Sequence, residues 1–121
     1  MTDADLELAQ ASEDAKTVVQ RIFGDGSIVV KSFRGHTKGS QMMDVRLPKK
    51  GLTILTGDNV YFRENVEKSV PPNIVLAYNP SGFLTAFEWI RMTMANEKAD
   101  FFTAHDPDAF KAMKKAPEFY D

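Results

Sequence analysis

The stretch 74-IVLAYNPSGFLTAFEWIRMTM-94 is the densest apolar run of the chain and contains its single tryptophan. Residues 74–78 are apolar without interruption, which predicts a strand that is covered on both faces. Residues 79–82 (NPSG) then turn the chain, and apolar side chains recur at helical spacing from Phe83 to Met94. A strand, a tight turn and a long helix are therefore expected at the centre of the fold.

The predicted helix carries apolar side chains on two sides. Its main stripe is expected to pack on a sheet and consists of Phe83, Leu84, Phe87, Ile90 and Met94. Trp89 and Met92 lie roughly opposite this stripe, so they are not expected to pack on the same sheet. Either the last helix of the chain covers them or they contact a partner, since tryptophan and methionine are enriched at protein interfaces. Trp89 and Met92 are therefore the predicted partner-binding residues.

Upstream of this stretch, the pattern predicts a helix and then a meander. Residues 3–23 place their apolar side chains on one helical face, and Gly24 suits the turn that follows. Four short strands come next, rich in β-branched or alternating apolar residues, at 27–33, 41–47, 52–56 and 60–64. The turns between them are short, so neighbours in sequence are expected to pair antiparallel.

A second C-terminal helix is predicted where Asp106 and Pro107 provide a cap and a first helical residue. The predicted fold is thus α+β, with an N-terminal helix, a five-stranded antiparallel meander and two C-terminal helices. The meander is either an open sheet or a small barrel. At this length, residues 1–121 are expected to form a single domain.

Composition narrows the class of protein. A hydrophobic fraction of 43% and a charged fraction of 26% are typical of a globular domain and argue against general disorder. The chain has no cysteine, which excludes disulfides and thiolate chemistry and favours a cytoplasmic or virion location. No apolar window approaches the roughly 20 residues of a membrane span, and the acidic first residues do not resemble a signal peptide.

Positive charge is concentrated in residues 16–50, which carry eight basic side chains against two acidic ones. The glycine-flanked hairpin that begins at Lys31 contains the predicted nucleic-acid or anion site, Lys31, Phe33, Arg34, His36 and Lys38. Basic side chains neutralise phosphate, and an aromatic ring such as that of Phe33 can stack on a base. The alternative interpretation is an ordinary solvated face.

Signals for catalysis and for metal binding are weak in the sequence. The two histidines, His36 and His105, are 69 positions apart. The sequence His105-Asp-Pro-Asp108 resembles a ligand cluster, but Asp106 and Pro107 are already explained by the helix start, and no zinc or EF-hand spacing is present. Residues 35–40 (GHTKGS) have the wrong order for a phosphate-binding loop. No catalytic residue, metal or cofactor is therefore predicted.

These features favour a small non-enzymatic interaction protein that binds a protein partner or itself. The composition also suits a phage or mobile-element accessory or virion protein. A nucleic-acid-binding module that uses the basic loop is the alternative. A small enzyme that uses a carboxylate pair is the third hypothesis, although the sequence singles out no pair.

Overall fold

The computed structural model describes residues 18–73, 75 and 77–121. Five strands are present in this part of the chain: β1 (Val18–Arg21), β2 (Ile28–Ser32), β3 (Gln41–Leu47), β4 (Gly51–Leu55) and β5 (Ala99–Phe102). Three α-helices accompany them: α1 (Arg63–Lys68), α2 (Pro80–Asn96) and α3 (Pro107–Ala112). A 3-10 turn, Gly57–Asn59, follows β4.

The strands form one sheet in the order β1-β2-β3-β4-β5. The first four strands pair antiparallel through short turns, whereas β5 pairs parallel with β4, so that Leu55 lies opposite Phe102. A parallel neighbour requires a crossover connection, and α1 and α2 provide it. In the described residues β1 and β5 are the two edges, so the sheet is open.

The hydrophobic core lies between one face of the sheet and α2. Its most completely buried side chains come from the loop after β2, from β3, β4 and β5, and from α2: Phe33, Met42, Ile54, Phe83, Phe87, Ile90 and Phe101. Val66 of α1 also belongs to this cluster. None of the described helices is long and apolar enough to cross a bilayer.

The predicted α+β class, the five-stranded sheet and the two C-terminal helices α2 and α3 are confirmed. Of the predicted N-terminal helix, residues 3–17 lie outside the described residues. Its last part is wrong, because Val18–Arg21 pairs with β2 as strand β1. The purely antiparallel meander is also wrong, since β5 is parallel to β4.

Two predicted strands are not found, and a third was missed. Residues 60–64 form a loop and the start of α1, while positions 75, 77 and 78 are not in a strand. The fifth strand is instead Ala99–Phe102, which the sequence pattern does not predict. The reason is tertiary: an open edge of β4 is available to pair with this segment once α2 has ended at Asn96.

Candidate functional site

Four polar side chains meet beyond the end of the sheet where strands β2, β4 and β5 terminate: His36, Asp58, Tyr61 and His105. The Nε2 atom of His36 lies 3.4 Å from Oδ2 of Asp58, and Nε2 of His105 lies 3.0 Å from Oδ1 of the same carboxylate. The Tyr61 hydroxyl lies 3.2 Å from Nδ1 of His36. The Tyr61 ring also contacts both imidazoles in edge-on geometry, with centroid distances of 5.8 Å to His36 and 4.7 Å to His105.

The parallel strands β4 and β5 explain why Asp58 and His105 meet. Leu55 and Phe102 are in register at the ends of these strands, and each functional residue follows three positions later. The carboxyl ends of parallel strands lie at the same end of a sheet, and α/β proteins commonly bind ligands there. Strand β2 runs in the same direction as β4, so the loop that carries His36 also leaves the sheet at this end.

The loop that carries His36 is held against the start of α2. The His36 carbonyl accepts a hydrogen bond from the Tyr78 N–H at 3.2 Å, and the Gly35 carbonyl accepts one from the Asn79 N–H at 2.9 Å. Arg34 has a left-handed backbone with φ of 53°, a conformation that costs energy in a residue with a side chain. Strained backbone of this kind is concentrated at functional sites.

Tyr61 is chemically distinct within the cluster. Loss of solvent around the phenol, and secondarily the negative charge of Asp58, raise the pKa of Tyr61 above its ordinary value. Both effects favour the neutral phenol over the phenolate. Tyr61 therefore retains its proton well above neutral pH and can act as a hydrogen-bond donor.

The donor set suits a divalent transition metal. Imidazole nitrogen and carboxylate oxygen are ligands of zinc, and neighbouring ligand atoms around a tetrahedral zinc are separated by about 3.3 Å. The observed nitrogen–oxygen separations of 3.0 and 3.4 Å are close to that distance. Each histidine nevertheless faces a different oxygen of Asp58, and no three such donors of the described residues form a complete metal-binding group. The cluster therefore fits part of a metal site.

The basic loop does not form a single surface. Lys31 and Phe33 are buried, and the Lys31 ammonium lies 2.8 Å from Asp44 and 3.3 Å from the centroid of the Trp89 ring. Of the five predicted anion-binding residues, only His36 joins the cluster, while Arg34 is half-buried and Lys38 is exposed. An anion-binding role for these residues stays a prediction.

Trp89 belongs to the hydrophobic core and is 5% exposed, with its ring 6.2 Å from that of Phe33. The expectation that it cannot pack on the same sheet is wrong, because Phe33 and Lys31 from the β2 side cover it. The last helix does not provide this cover through Phe110, which is 62% exposed. Met92 is 44% exposed, and a partner-binding role for Trp89 and Met92 stays a prediction.

Sequence reasoning missed three members of the cluster. The sequence pattern places Asp58 between two predicted strands and Tyr61 within the second of them, and the start of a helix already accounts for the neighbours of His105. The pattern before His36 does predict a strand, but no predicted strand precedes His105, so the sequence held no signal that joins the two histidines. The pairing of β4 with β5 brings Asp58 and His105 together, and the loop after β2 adds His36.

Comparison with known proteins identifies relatives that are enzymes. The N-acyl homoserine lactonase AttM of Azorhizobium caulinodans is 33% identical over 100 residues, which cover 83% of this chain and 37% of AttM. AttM of Rhizobium radiobacter is 32% identical over 99 residues. AiiA of Bacillus thuringiensis subsp. kurstaki is 28% identical over 85 residues. The chain thus spans little more than a third of the length of the AttM relatives, and no protein-family model matches it.

Solved structures give the same result for the fold. An N-acyl homoserine lactone hydrolase with the product N-hexanoyl-L-homoserine bound at its catalytic metal centre matches with a TM-score of 0.71 and 24% identity, over 83% of this chain and 38% of that protein. A quorum-quenching N-acyl homoserine lactone lactonase matches with a TM-score of 0.67 and 26% identity, over 76% of this chain and 37% of that protein. The fold therefore matches part of a lactonase, a metallo-β-lactamase-like fold.

These findings correct several predictions from the sequence. The relatives are enzymes, so the predicted non-enzymatic interaction protein, the phage or virion assignment and the nucleic-acid-binding alternative are wrong. A protein partner or self-association has no support from them. The prediction of no metal is contradicted by the catalytic metal centre of the matching hydrolase. Metal binding could not be predicted from the sequence because the carboxylate and the two histidines come from distant segments and form no local motif.

Proposed function

We propose that this chain forms part of the active site of a metal-dependent hydrolase that opens the ring of N-acyl homoserine lactones. The observation that carries the proposal is the contact of His36 and His105 with different oxygens of Asp58, beside the Tyr61 hydroxyl. The similarity to lactonases supports the substrate class. Because the chain spans only part of those relatives, the remaining ligands would come from residues outside it.

His36, Asp58 and His105 are the residues that would hold the metal. Imidazole nitrogen and carboxylate oxygen are donors that hold divalent cations such as zinc, and each oxygen of Asp58 lies near one of the two imidazoles. Bound divalent cations would polarise the lactone carbonyl and supply an activated water. Each imidazole binds a cation only in its neutral form, so the affinity is expected to depend on pH.

Tyr61 is the proposed hydrogen-bond donor to the substrate. Hydrolysis of a lactone adds water to the carbonyl carbon, breaks the ring ester bond and yields a carboxylate and an alcohol. Negative charge develops on the carbonyl oxygen and then on the leaving ring oxygen. A phenol whose pKa is raised keeps its proton available to stabilise either oxygen.

We further propose that the chain behaves as one domain of such an enzyme and acts in the cytoplasm. One hydrophobic cluster that unites β3, β4 and β5 with α1 and α2 supports the single domain. The lack of cysteine supports the location.

Zinc binding tests the metal site directly. We expect isothermal titration calorimetry to detect zinc binding by the chain, weakened about tenfold or more in His36→Ala, Asp58→Asn and His105→Ala. Glu64→Gln is the matched control, because this exposed carboxylate pairs only with Lys68 among the described residues. Equal affinities of the ligand variants and the control would contradict the proposed metal site.

Activity is tested in a chimera in which residues 18–121 replace the aligned segment of AttM. We expect the chimera to hydrolyse N-hexanoyl homoserine lactone, with release of acid as the signal. We also expect His105→Ala in the chimera to abolish that release. A chimera that folds and binds metal but does not open the lactone ring would refute the proposed activity.

A further inference from the structure

Tyr61 and His105 lie on two loops that regular secondary structure does not hold in place. Tyr61 precedes α1, and His105 follows β5. Two backbone hydrogen bonds join the loops, from the Ala104 N–H to the Val60 carbonyl at 3.2 Å and from the His105 N–H to the Tyr61 carbonyl at 3.1 Å. Such a short ladder of two bonds has open ends, so its geometry depends on what closes it.

Asp106 closes one end of this ladder with its side chain. Its Oδ2 accepts a hydrogen bond from the Arg63 N–H at 3.1 Å. Its Oδ1 accepts from the N–H groups of Asp108 and Ala109 at 3.2 and 3.1 Å, which caps α3. Capping a helix requires only one side-chain oxygen. The second oxygen is therefore engaged in a separate contact that reaches the loop of Tyr61.

Arg63 makes the reverse connection with its side chain. Its Nη1 donates to the Phe101 carbonyl at 2.9 Å, and its Nη2 lies 3.1 Å from Oδ1 of Asp100. The guanidinium also stacks on the Phe101 ring, 4.2 Å from its centroid. The start of α1 and the end of β5 are thus joined from both sides by Arg63 and Asp106, and we name this pair of contacts the Arg63–Asp106 clasp.

We propose that Asp106 and Arg63 are positioning residues that set the Tyr61 hydroxyl relative to the His105 imidazole. The inference rests on the proposed function, because it gives a catalytic meaning to that relative position. Neither residue touches the reacting groups. The clasp acts through the backbone of Arg63, two positions from Tyr61, and through the backbone of Asp106, one position from His105. Loss of a group that hydrogen-bonds a metal ligand directly costs about 10–100-fold in metal affinity, and the lower end of that range is expected for a contact that acts through the backbone.

The pair Arg63→Ala and Arg63→Pro isolates the hydrogen bond to Asp106. Both variants lose the guanidinium, but only proline also loses the N–H. Proline is well tolerated at the first position of a helix, and Phe62 before it is already extended, with φ of −127° and ψ of 148°. We expect Arg63→Pro to lose the nuclear Overhauser contact between the Tyr61 and His105 rings and to bind zinc about tenfold more weakly than Arg63→Ala.

Asp106→Ser provides the second comparison. Serine caps a helix through its single oxygen, so α3 is retained while the contact to Arg63 is lost. We expect this variant to lose the Tyr61–His105 ring contact. The matched control is Asp108→Ser, which lies in the same helical turn and has no side-chain hydrogen bond among the described residues.

Retention of the ring contact in both Arg63→Pro and Asp106→Ser would overturn the clasp. If Arg63→Pro does not fold, the test is the comparison of the Tyr61–His105 ring contact in Asp106→Ser and Asp108→Ser. Retention of the contact in both of these variants would then overturn the clasp. The ring contact is measured without metal, so it tests the clasp even if the chain binds no zinc. Absence of zinc binding would contradict the proposed function only. The positional role of Asp106 would still be tested by whether Asp106→Ser loses the ring contact.

Discussion

Gly82 and Gly35 allow the start of α2 to touch the loop that carries His36. A Cβ atom at position 82 would lie 2.5 Å from the Phe33 carbonyl oxygen and 2.7 Å from the Gly35 Cα. Both are backbone atoms, so neither can rotate away. The residue at position 82 therefore sets how closely the helix approaches the candidate site.

We expect Gly82→Ala to lower the free energy of unfolding by about 1–3 kcal/mol, the usual cost of an overpacked interior. Urea unfolding measures this change. Gly39→Ala is the control, because no atom lies within 4 Å of a Cβ there. Its effect should stay within about 0.5 kcal/mol. Similar losses in both variants would show that the close contact at Gly82 does not limit packing.

Because of Tyr61, we expect the free energy of unfolding to decrease at high pH. Its pKa is raised in the folded state, first by loss of solvent and then by Asp58. The folded chain therefore binds the phenolic proton more tightly than the unfolded chain does. The resulting stabilisation is complete below a pH of about 10 and is lost as the pH rises through the folded pKa.

We expect the absorbance of tyrosinate to include a late titration, above the pH of about 10 that is ordinary for tyrosine, which disappears in Tyr61→Phe. Asp58→Asn should shift that titration to lower pH, because it removes the negative charge that opposes phenolate. Tyr78→Phe serves as the control and should leave the late titration in place. A late titration that Asp58→Asn does not move would show that the charge of Asp58 has no part in the shift.

At the scale of elements, α2 buries a broader arc than its apolar stripe predicts. The buried residues include Ala86 and Trp89, whereas Leu84 and Met94 of the predicted stripe are 45% and 38% exposed. Trp89 faces the β2 side of the sheet, with its ring 6.2 Å from that of Phe33. There it meets Lys31, whose ammonium lies over the indole ring.

The buried Lys31–Asp44 ion pair between β2 and β3 should show strong coupling. We expect Asp44→Leu alone to destabilise the fold by about 3–5 kcal/mol, because it leaves a buried charge without this partner. The double variant Lys31→Met/Asp44→Leu should cost much less than the sum of the single changes. A double-mutant cycle from urea unfolding measures the coupling.

The exposed pair Lys68 and Glu64 on α1 is the reference for that cycle. Its coupling should be only about 0.3–0.5 kcal/mol, as for solvent-exposed pairs one helical turn apart. If the buried pair coupled no more strongly than this reference, the energetic role assigned to Lys31 and Asp44 would be wrong.

Across the whole molecule, Tyr120 and Asp121 connect distant segments, and Asp121 binds the turn between β3 and β4. The Asp121 carbonyl accepts hydrogen bonds from the N–H groups of Lys49 and Lys50 at 3.0 and 2.7 Å. The Tyr120 ring packs 5.3 Å from that of Phe102 on β5. These contacts join the end of the chain to the strand that leads to His105.

We expect Tyr120→Ala to lower the free energy of unfolding by at least about 1 kcal/mol, the scale of an aromatic pair. Tyr120→Phe should cost less, since it removes only the hydroxyl that accepts from the Lys114 N–H. Phe119→Ala is the control because that neighbouring ring is 72% exposed. Thermal unfolding that ranks Phe119→Ala with Tyr120→Ala would contradict this role.

Elements that depend on neighbours along the chain could be predicted from the amino-acid pattern alone. Strand β3 has the predicted bounds, because alternation over 41–47 is a local pattern. Helix α2 was predicted from the spacing of its apolar residues after Asn79, whose side chain caps it. Helix α3 begins where Asp106 and Pro107 indicated.

The fifth strand and the candidate site depend instead on contacts between distant segments of the chain. Residues 99–102 have no strong local preference for a strand, and they become one because β4 has a free edge when α2 ends. That pairing joins Leu55 to Phe102, which are 47 positions apart. Asp58 and His105 each lie three residues beyond it, so their meeting depends on a register that no local pattern encodes. Contacts between distant segments are fixed by the free energy of packing the whole chain, and this is why the site could not be predicted from the sequence.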